Sequence, residues 1–478
     1  MQRIIILILV FTLCGASIAL AEEIAPPSPA DAQLSVRTLT RVEDPVIVKG
    51  EELPGMLGHS AEGLRAYAFR EGRLEPIPYQ VDEFNKKGRI ICPDGKDAKE
   101  DEDKGLLDAN DEVVVMVSDL GDRASRLLFP ADARQASEIE VQDPATGERA
   151  WFYIFDFEAP PPPSPVVYIT YDPEKDLATS AVYSVDFNER KSILLDDMRI
   201  AGPDKKMGEN IIDRIKVRTW FKSRIFITFK FNEEDITSHV TGYKNGPVRS
   251  IRSAEYFLKL FFIKVTPSAF VDYLFYRNAI VGPSQLKVPF SPRLVLRGGS
   301  RAITGLDFSN SVYGWQFYTE KNPTPVTLDG MNKNKGEMRT EGVSWFALFG
   351  EDRGTLTRVV YGDSLLKAKQ KYVFYQLDDK EKESKPEREK GETLLAFDLD
   401  LLKIPRGTHN MWFYQFFASP FAPGDEARFN LILDQPLENR ALAMSIPRPE
   451  EIASPQGPET RESRDGPGLD AREDAEDG

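Results

Sequence analysis

Apolar and polar residues alternate with a period of two along most of this chain, the spacing of β-strands rather than helices. Ile215-Lys216-Val217-Arg218-Thr219-Trp220 and Ser223-Arg224-Ile225-Phe226-Ile227-Thr228-Phe229-Lys230-Phe231 alternate clearly, so each reads as a strand with one solvated face. Leu64 to Val81 reads as a hairpin, with Ala66-Tyr67-Ala68-Phe69 turning at Glu71-Gly72 and returning through Ile77 and Tyr79. Val113-Val114-Val115-Met116-Val117 is apolar on both faces, which predicts a fully buried strand. Ile139–Val141 and Trp151–Phe157 flank a turn at Asp143-Pro144-Ala145-Thr146-Gly147. No sustained period of 3.6 occurs; Ser364 to Gln370 is the best candidate for a short helix.

The breaks in this pattern divide the chain. Residues 22–32 are a Pro-rich linker and residues 33–158 a first β domain. Pro160-Pro161-Pro162-Pro163 with Pro165 is stiff and extended, which makes 159–165 a polyproline spacer. Strand patterning resumes at Val166 and runs to Ile446, a larger domain over 166–446. The expected fold class is all-β: two antiparallel β-sandwich domains, a Pro-rich linker and a disordered acidic C-terminal tail over 447–478. An outer-membrane barrel is disfavoured by the 34 prolines and the hydrophilic, charged C-terminus.

Charge sharpens the partition. The 478 residues carry a formal net charge of −15. Asp94 to Glu112 holds nine acidic residues and three lysines, and Pro447 to Gly478 holds ten acidic residues and four arginines. Each stretch is therefore net −6, and the remainder of the chain is close to neutral. An acidic balance disfavours nucleic acid, or an anionic membrane surface, as the main partner.

The N-terminus predicts export. Arg3, the apolar run Ile4–Leu13 and the small-residue site Ala19-Leu20-Ala21 before Glu22 form a secretory signal peptide over 1–21. An uncleaved anchor and lipid attachment at Cys14 are the alternatives. Cleavage leaves no transmembrane span and a periplasmic or secreted protein. Cys92, between Ile91 and Pro93, is then the sole thiol and reads as a small buried hydrophobe.

Candidate chemistry is sparse. Asp108, Asn110, Asp111 and Glu112, with help from Asp101 or Asp103, could supply the hard oxygen ligands of a Ca2+ site; the same residues could make an Asx turn. Three dispersed histidines and one thiol do not assemble a zinc or copper site. Tyr313-Gly314-Trp315-Gln316-Phe317 alternates rings with small or polar residues, leaving Tyr313 and Trp315 to pack or to stack on a sugar. Trp412-Phe413-Tyr414-Gln415-Phe416-Phe417 is apolar on both faces and reads as a central core strand. His59, His239 and His409 are accompanied by no nucleophile elbow, zinc motif or phosphate loop.

Two stretches carry a resemblance. Pro78-Tyr79-Gln80-Val81-Asp82-Glu83 with Leu107-Asp108-Ala109-Asn110-Asp111-Glu112-Val113-Val114-Val115-Met116 resembles a pattern in uncharacterised secreted bacterial β-sandwich proteins. Asn245-Gly246-Pro247-Val248-Arg249 is similar to a turn in galactose-mutarotase-like supersandwiches, which occur in mutarotases and within polysaccharide lyases. The second resemblance implies a sugar ligand and makes Arg249 a candidate ligand-binding residue. The expected function is an exported non-catalytic protein binding a glycan or another envelope component, such as an envelope protein. A polysaccharide lyase or hydrolase is the alternative, with His239 or His409 acting beside Arg249, and an envelope scaffold is a third reading.

Overall fold

The computed structural model describes residues 33–93, 95, 103–260, 263–264, 269–329, 339, 342–370, 373–378 and 392–448. The signal peptide, the linker at 22–32, Asp101, the segment 379–391 and the tail beyond Arg448 lie outside them. The described residues are mostly strand in antiparallel sheets, with two short α-helices at Asp363–Lys367 and Glu426–Asp434. No helix among them is long and apolar enough to cross a membrane.

In the first half, Leu64–Arg70 pairs with Arg73–Pro76 around Glu71 and Gly72, whose φ values of 50° and 83° give the doubly left-handed turn that suits a two-residue hairpin. This hairpin lies at one edge of a five-stranded sheet with Arg149–Phe157, Ala133–Gln142 and Glu438–Met444. A second sheet of Pro45–Lys49, Glu112–Met116 and Gln80–Asp82 faces it. The strand Glu112–Met116 explains its own unbroken apolar run. Val113 and Val115 enter the core between these two sheets, whereas Val114 and Met116 point the other way into a cluster shared with the second half.

The second half is a sandwich of one large sheet against two smaller ones. The large sheet centres on Gly407–Ala418, which pairs with Ala279–Val288 on one side and Gly354–Tyr361 on the other. Its aromatic run is divided as period two requires: Phe413 and Phe417 pack into the main core, Tyr414 and Phe416 into the shared cluster. Across the main core lie the sheets containing Tyr183–Asn188 and Arg301–Phe308. The helix Glu426–Asp434 covers the shared cluster with Phe429.

Three features depart from the strand-by-strand reading. Ser223 to Phe231 is not one strand: Ile212–Lys222 ends, the chain turns over Ser223–Ile227, and Thr228–Phe231 returns alongside. The turn is possible because Phe226 takes a left-handed φ of 68°. Glu438–Met444, at the end of the larger expected domain, hydrogen-bonds along Ala133–Gln142 of the first half, where it completes an otherwise open sheet edge. Each half has its own core either side of Pro160–Pro165, but the two halves also share a third cluster. Ile90, Cys92, Val114 and Met116 from the first half pack with Val248, Ile251 and Phe416 from the second, and the Pro161 carbonyl accepts from Arg65 Nε at 2.6 Å.

Candidate functional site

The most open arrangement of recognition chemistry among the predicted residues is the turn carrying Tyr313 and Trp315. Ser309 begins a short 3-10 turn over Asn310–Val312 by accepting from the Ser311 amide. Gly314, at φ 93°, then reverses the chain, a conformation that favours glycine. The Gly314 amide donates to the Leu328 carbonyl, and the Leu328 amide donates to the Trp315 carbonyl, each at 2.8 Å. Trp315 is half-buried and packs against the edge of the main core, while Tyr313 stays 38% exposed. The indole lies against Gly350; a Cβ there would stand 2.8 Å from the ring, so glycine is what admits it.

Gly350 opens a turn whose other end is Arg353, and the Gly350 amide donates to the Arg353 carbonyl at 2.8 Å. The Arg353 guanidinium grips Asp352 through two hydrogen bonds of 2.7 and 2.8 Å and donates to the Ile200 carbonyl. That grip holds the Asp352 carboxyl below its ordinary range. The Trp315 indole thus packs on the turn that carries this fixed charged pair, with exposed Tyr313 two residues before it in the chain. Rings stack on the apolar faces of a sugar, and such a pair can exchange hydrogen bonds with its hydroxyls. The sequence signal pointed to Tyr313 and Trp315; Asp352 and Arg353 carried none that distinguished them from surface charges.

Arg249 lies elsewhere and does other work. It is 1% exposed, and its guanidinium donates to Asp82 at 2.7 Å, Glu112 at 2.6 Å and the Tyr276 hydroxyl at 2.8 Å. Gln80 Oε1 accepts from the amides of Val248 and Arg249, and Lys244 also pairs with Asp82. A Cβ at Gly246 would stand 2.2 Å from Gln80 Oε1, so that turn needs its glycine. The two stretches singled out by resemblance therefore meet each other and lock the halves together. Burial alone would raise the Asp82 carboxyl; the charges of Arg249 and Lys244 outweigh it and hold the carboxyl low. Every Arg249 nitrogen faces a protein partner in this buried setting, which leaves it no side turned to a ligand.

The acidic turn is similarly engaged. Asp108 Oδ1 accepts from the amides of Asn110 and Asp111 at 2.9 and 3.2 Å, an Asx turn. Asp111 accepts from the amides of Phe84 and Asp108, both at 2.9 Å, and Glu112 is shared between Lys49 and Arg249. Asn110 donates from its side chain to the Asn85 carbonyl. Burial, then the charges of Asp108 and Glu83, push the Asp111 carboxyl up to about 6. Asp103 is described and exposed, whereas Asp101 lies outside the described residues. Among the described residues no group of three or more His, Cys, Asp or Glu side chains is arranged to hold a metal ion.

The histidines do not converge. His59 pairs with Asp156 at 2.8 Å, and His239 lies on an exposed strand 3.4 Å from Glu255. His409 is buried, with Ser364 at 2.7 Å from Nδ1 and the Pro405 carbonyl at 2.8 Å from Nε2. The Ser364 bond ties the helix Asp363–Lys367 to the central strand, and the Pro405 bond ties that strand to the segment leading into it. Neither His239 nor His409 shares a partner with Arg249. Cys92 is 4% exposed, and burial pushes its thiol up to about 11.

No family model matches the chain, and no curated protein matches it. Among solved structures it is similar to an α-mannosidase from Enterococcus faecalis, at 8% identity and a TM-score of 0.43, over 87% of this chain and 45% of that one. It is also similar to a β-arabinopyranosidase, at 10% identity and a TM-score of 0.24, over 52% of this chain and 40% of that one. The chain spans less than half the length of either. Similarity at this level identifies no shared activity, and the site is read from its own residues.

Proposed function

We propose that the protein is an exported, non-catalytic component of the cell envelope that binds a glycan at the rim formed by Tyr313, Trp315, Asp352 and Arg353. The observation that carries this reading is the half-buried Trp315 indole seated on Gly350, beside exposed Tyr313 and a fixed carboxylate–guanidinium pair. A ring held this way is immobilised before binding, which lowers the entropy lost when a sugar stacks on it. Binding is favoured over a lyase or hydrolase because Arg249 is consumed in a buried network and no histidine joins it. A glycan array, followed by titration of the best ligand, tests the proposal. Trp315→Ala is expected to weaken binding roughly tenfold or more, the scale of one lost aromatic anchor. Undiminished affinity in that variant would remove the rim from consideration, and turnover of the ligand would favour the enzyme instead.

A further inference from the structure

The turn Ser223–Ile227 presents apolar side chains that the fold does not use. Ile225 is 75% exposed, Phe226 80% and Leu294 69%, with Ile227, Phe290 and Val295 also exposed. They form one tip because two segments are stitched together beneath them. The Arg224 amide donates to the Val295 carbonyl at 2.9 Å, the Arg297 amide donates to the Lys222 carbonyl at 2.8 Å, and Arg224 Nη1 donates to the Arg293 carbonyl at 3.0 Å. Single exposed apolar residues are ordinary on any protein; a joined group at an apex is not.

Phe226 sharpens the point. Its φ of 68° is the left-handed conformation, which suits glycine or asparagine and strains a bulky side chain. The ring gains no core burial in return. Local strain retained at an exposed apex marks a residue held for contact with something outside the chain.

The charge around the tip identifies that contact. Lys222–Lys230 and Lys287–Arg301 together contain seven lysines and arginines and no acidic residue, in a chain of net charge −15. Arg297 lies with its guanidinium 5.3 Å from the Phe226 ring centroid, and Lys403 joins Arg224 and Arg293 around a groove at the foot of the tip. Asp400 also lines this groove, where it accepts from the Leu402 amide and is outnumbered by Arg224, Arg293, Arg297 and Lys403, and Asp398 pairs with Arg301. Behind this ring, Arg301 stands over Trp220 at 5.2 Å. Apolar apex and basic collar follow one another in the order in which a bilayer presents acyl chains and phosphates.

The geometry points to a docking device for an anionic phospholipid bilayer, with Ile225, Phe226 and Leu294 entering the acyl boundary and Arg224, Arg293 and Arg297 meeting the phosphates. A bilayer closes around an apex of this kind, and its phosphates complement the seven cations of these two segments. The acidity that disfavours an anionic surface for the whole chain is concentrated elsewhere, in Asp94–Glu112 and beyond Pro447. The tip is also placed apart from the aromatic rim. Along the ladder pairing Ile212 with Phe308 and Trp220 with Arg301, the tip lies past Trp220 and the Tyr313 turn lies past Phe308. Eight residues separate those ends, roughly 26 Å at strand spacing. Docking therefore leaves the rim facing away from the lipid, and the inference stands whether or not that rim binds a sugar.

Vesicle co-sedimentation tests it, using the purified protein and variants with the same N-terminus. Vesicles of phosphatidylglycerol and phosphatidylcholine are expected to pellet the parent. Pure phosphatidylcholine should pellet it roughly tenfold less, and about 0.5 M salt should weaken the anionic binding. Phe226→Gly separates binding from folding, because it removes the strained side chain: its thermal midpoint should hold or rise while vesicle binding falls. Arg224→Glu with Arg293→Glu should lose binding as well. In Phe226→Trp, the added indole should shift its emission to the blue when anionic vesicles are present. Equal pelleting of parent and Phe226→Gly, or no spectral shift, would overturn the proposal. So would tip-dependent capture of an envelope protein without any vesicle binding.

Discussion

At the scale of single residues, Arg249 shows how much one buried cation can decide. It neutralises Asp82 and Glu112 from the first half while standing on the strand-flanking turn of the second. Removing one member of a buried ion network leaves the others uncompensated, at a cost of about 3–5 kcal/mol. Arg249→Met is therefore expected to be severely destabilising at neutral pH, as read by urea unfolding. The pH dependence has a definite sign. Because the folded Asp82 pKa lies below its unfolded value of about 3.9, its contribution is fully present above that value and is lost as pH falls through the folded pKa. The gap between parent and Arg249→Met should accordingly narrow below about pH 4. A gap that stayed constant would assign the loss to packing rather than charge.

Among local elements, the turn Asp108–Glu112 sets a hydrogen-bonding role against a metal-binding one. Its carboxylates already accept from the amides of Phe84, Asp108, Asn110 and Asp111. The raised Asp111 pKa of about 6 means that ionising it at neutral pH opposes the fold, and that protonation relieves this as pH falls from about 7 toward 4. Carboxyl titration by NMR should place Asp111 well above the ordinary aspartate value, and Asp111→Asn should remove the transition near 6. Unfolding with calcium and with chelator completes the test: the Asx-turn geometry predicts equal midpoints for the parent. A calcium-dependent rise that vanished in Asp108→Ala and Asp111→Ala would establish the ion site instead.

For the whole molecule, the two halves are bound by shared apolar packing, by the Arg249 network and by the returning strand Glu438–Met444. These links predict one cooperative unfolding transition by calorimetry instead of two. They also predict resistance to proteolysis near Pro161, whose carbonyl is tied to Arg65. Ending the chain at Pro436 removes the returning strand and leaves Ala133–Gln142 as an open edge. That truncation should lower the thermal midpoint by several degrees relative to a chain ended at Arg448. Two separate transitions in the parent, or equal midpoints in the two truncations, would mean that the halves are only loosely joined.

Local chemistry alone determined the β class, the Glu71-Gly72 hairpin, the doubly buried strand at Val113–Met116 and the central aromatic strand. Each follows from side-chain alternation or turn geometry within about ten residues, interactions that need no distant partner. Arg249 was legible as unusual but not as buried, because its partners Asp82 and Glu112 lie 167 and 137 residues away. The turn at Ser223–Ile227 was hidden because the apolar run Ile225-Phe226-Ile227 reads locally as strand, while the reversal is imposed by pairing with Leu296 and Val295. The strand Glu438–Met444 lies within the strand-patterned stretch that ends at Ile446, yet nothing local states which sheet it joins. Period two specifies the faces of a strand; only tertiary pairing specifies its neighbours, and here that pairing decided where the two halves lock and where the apolar tip is exposed.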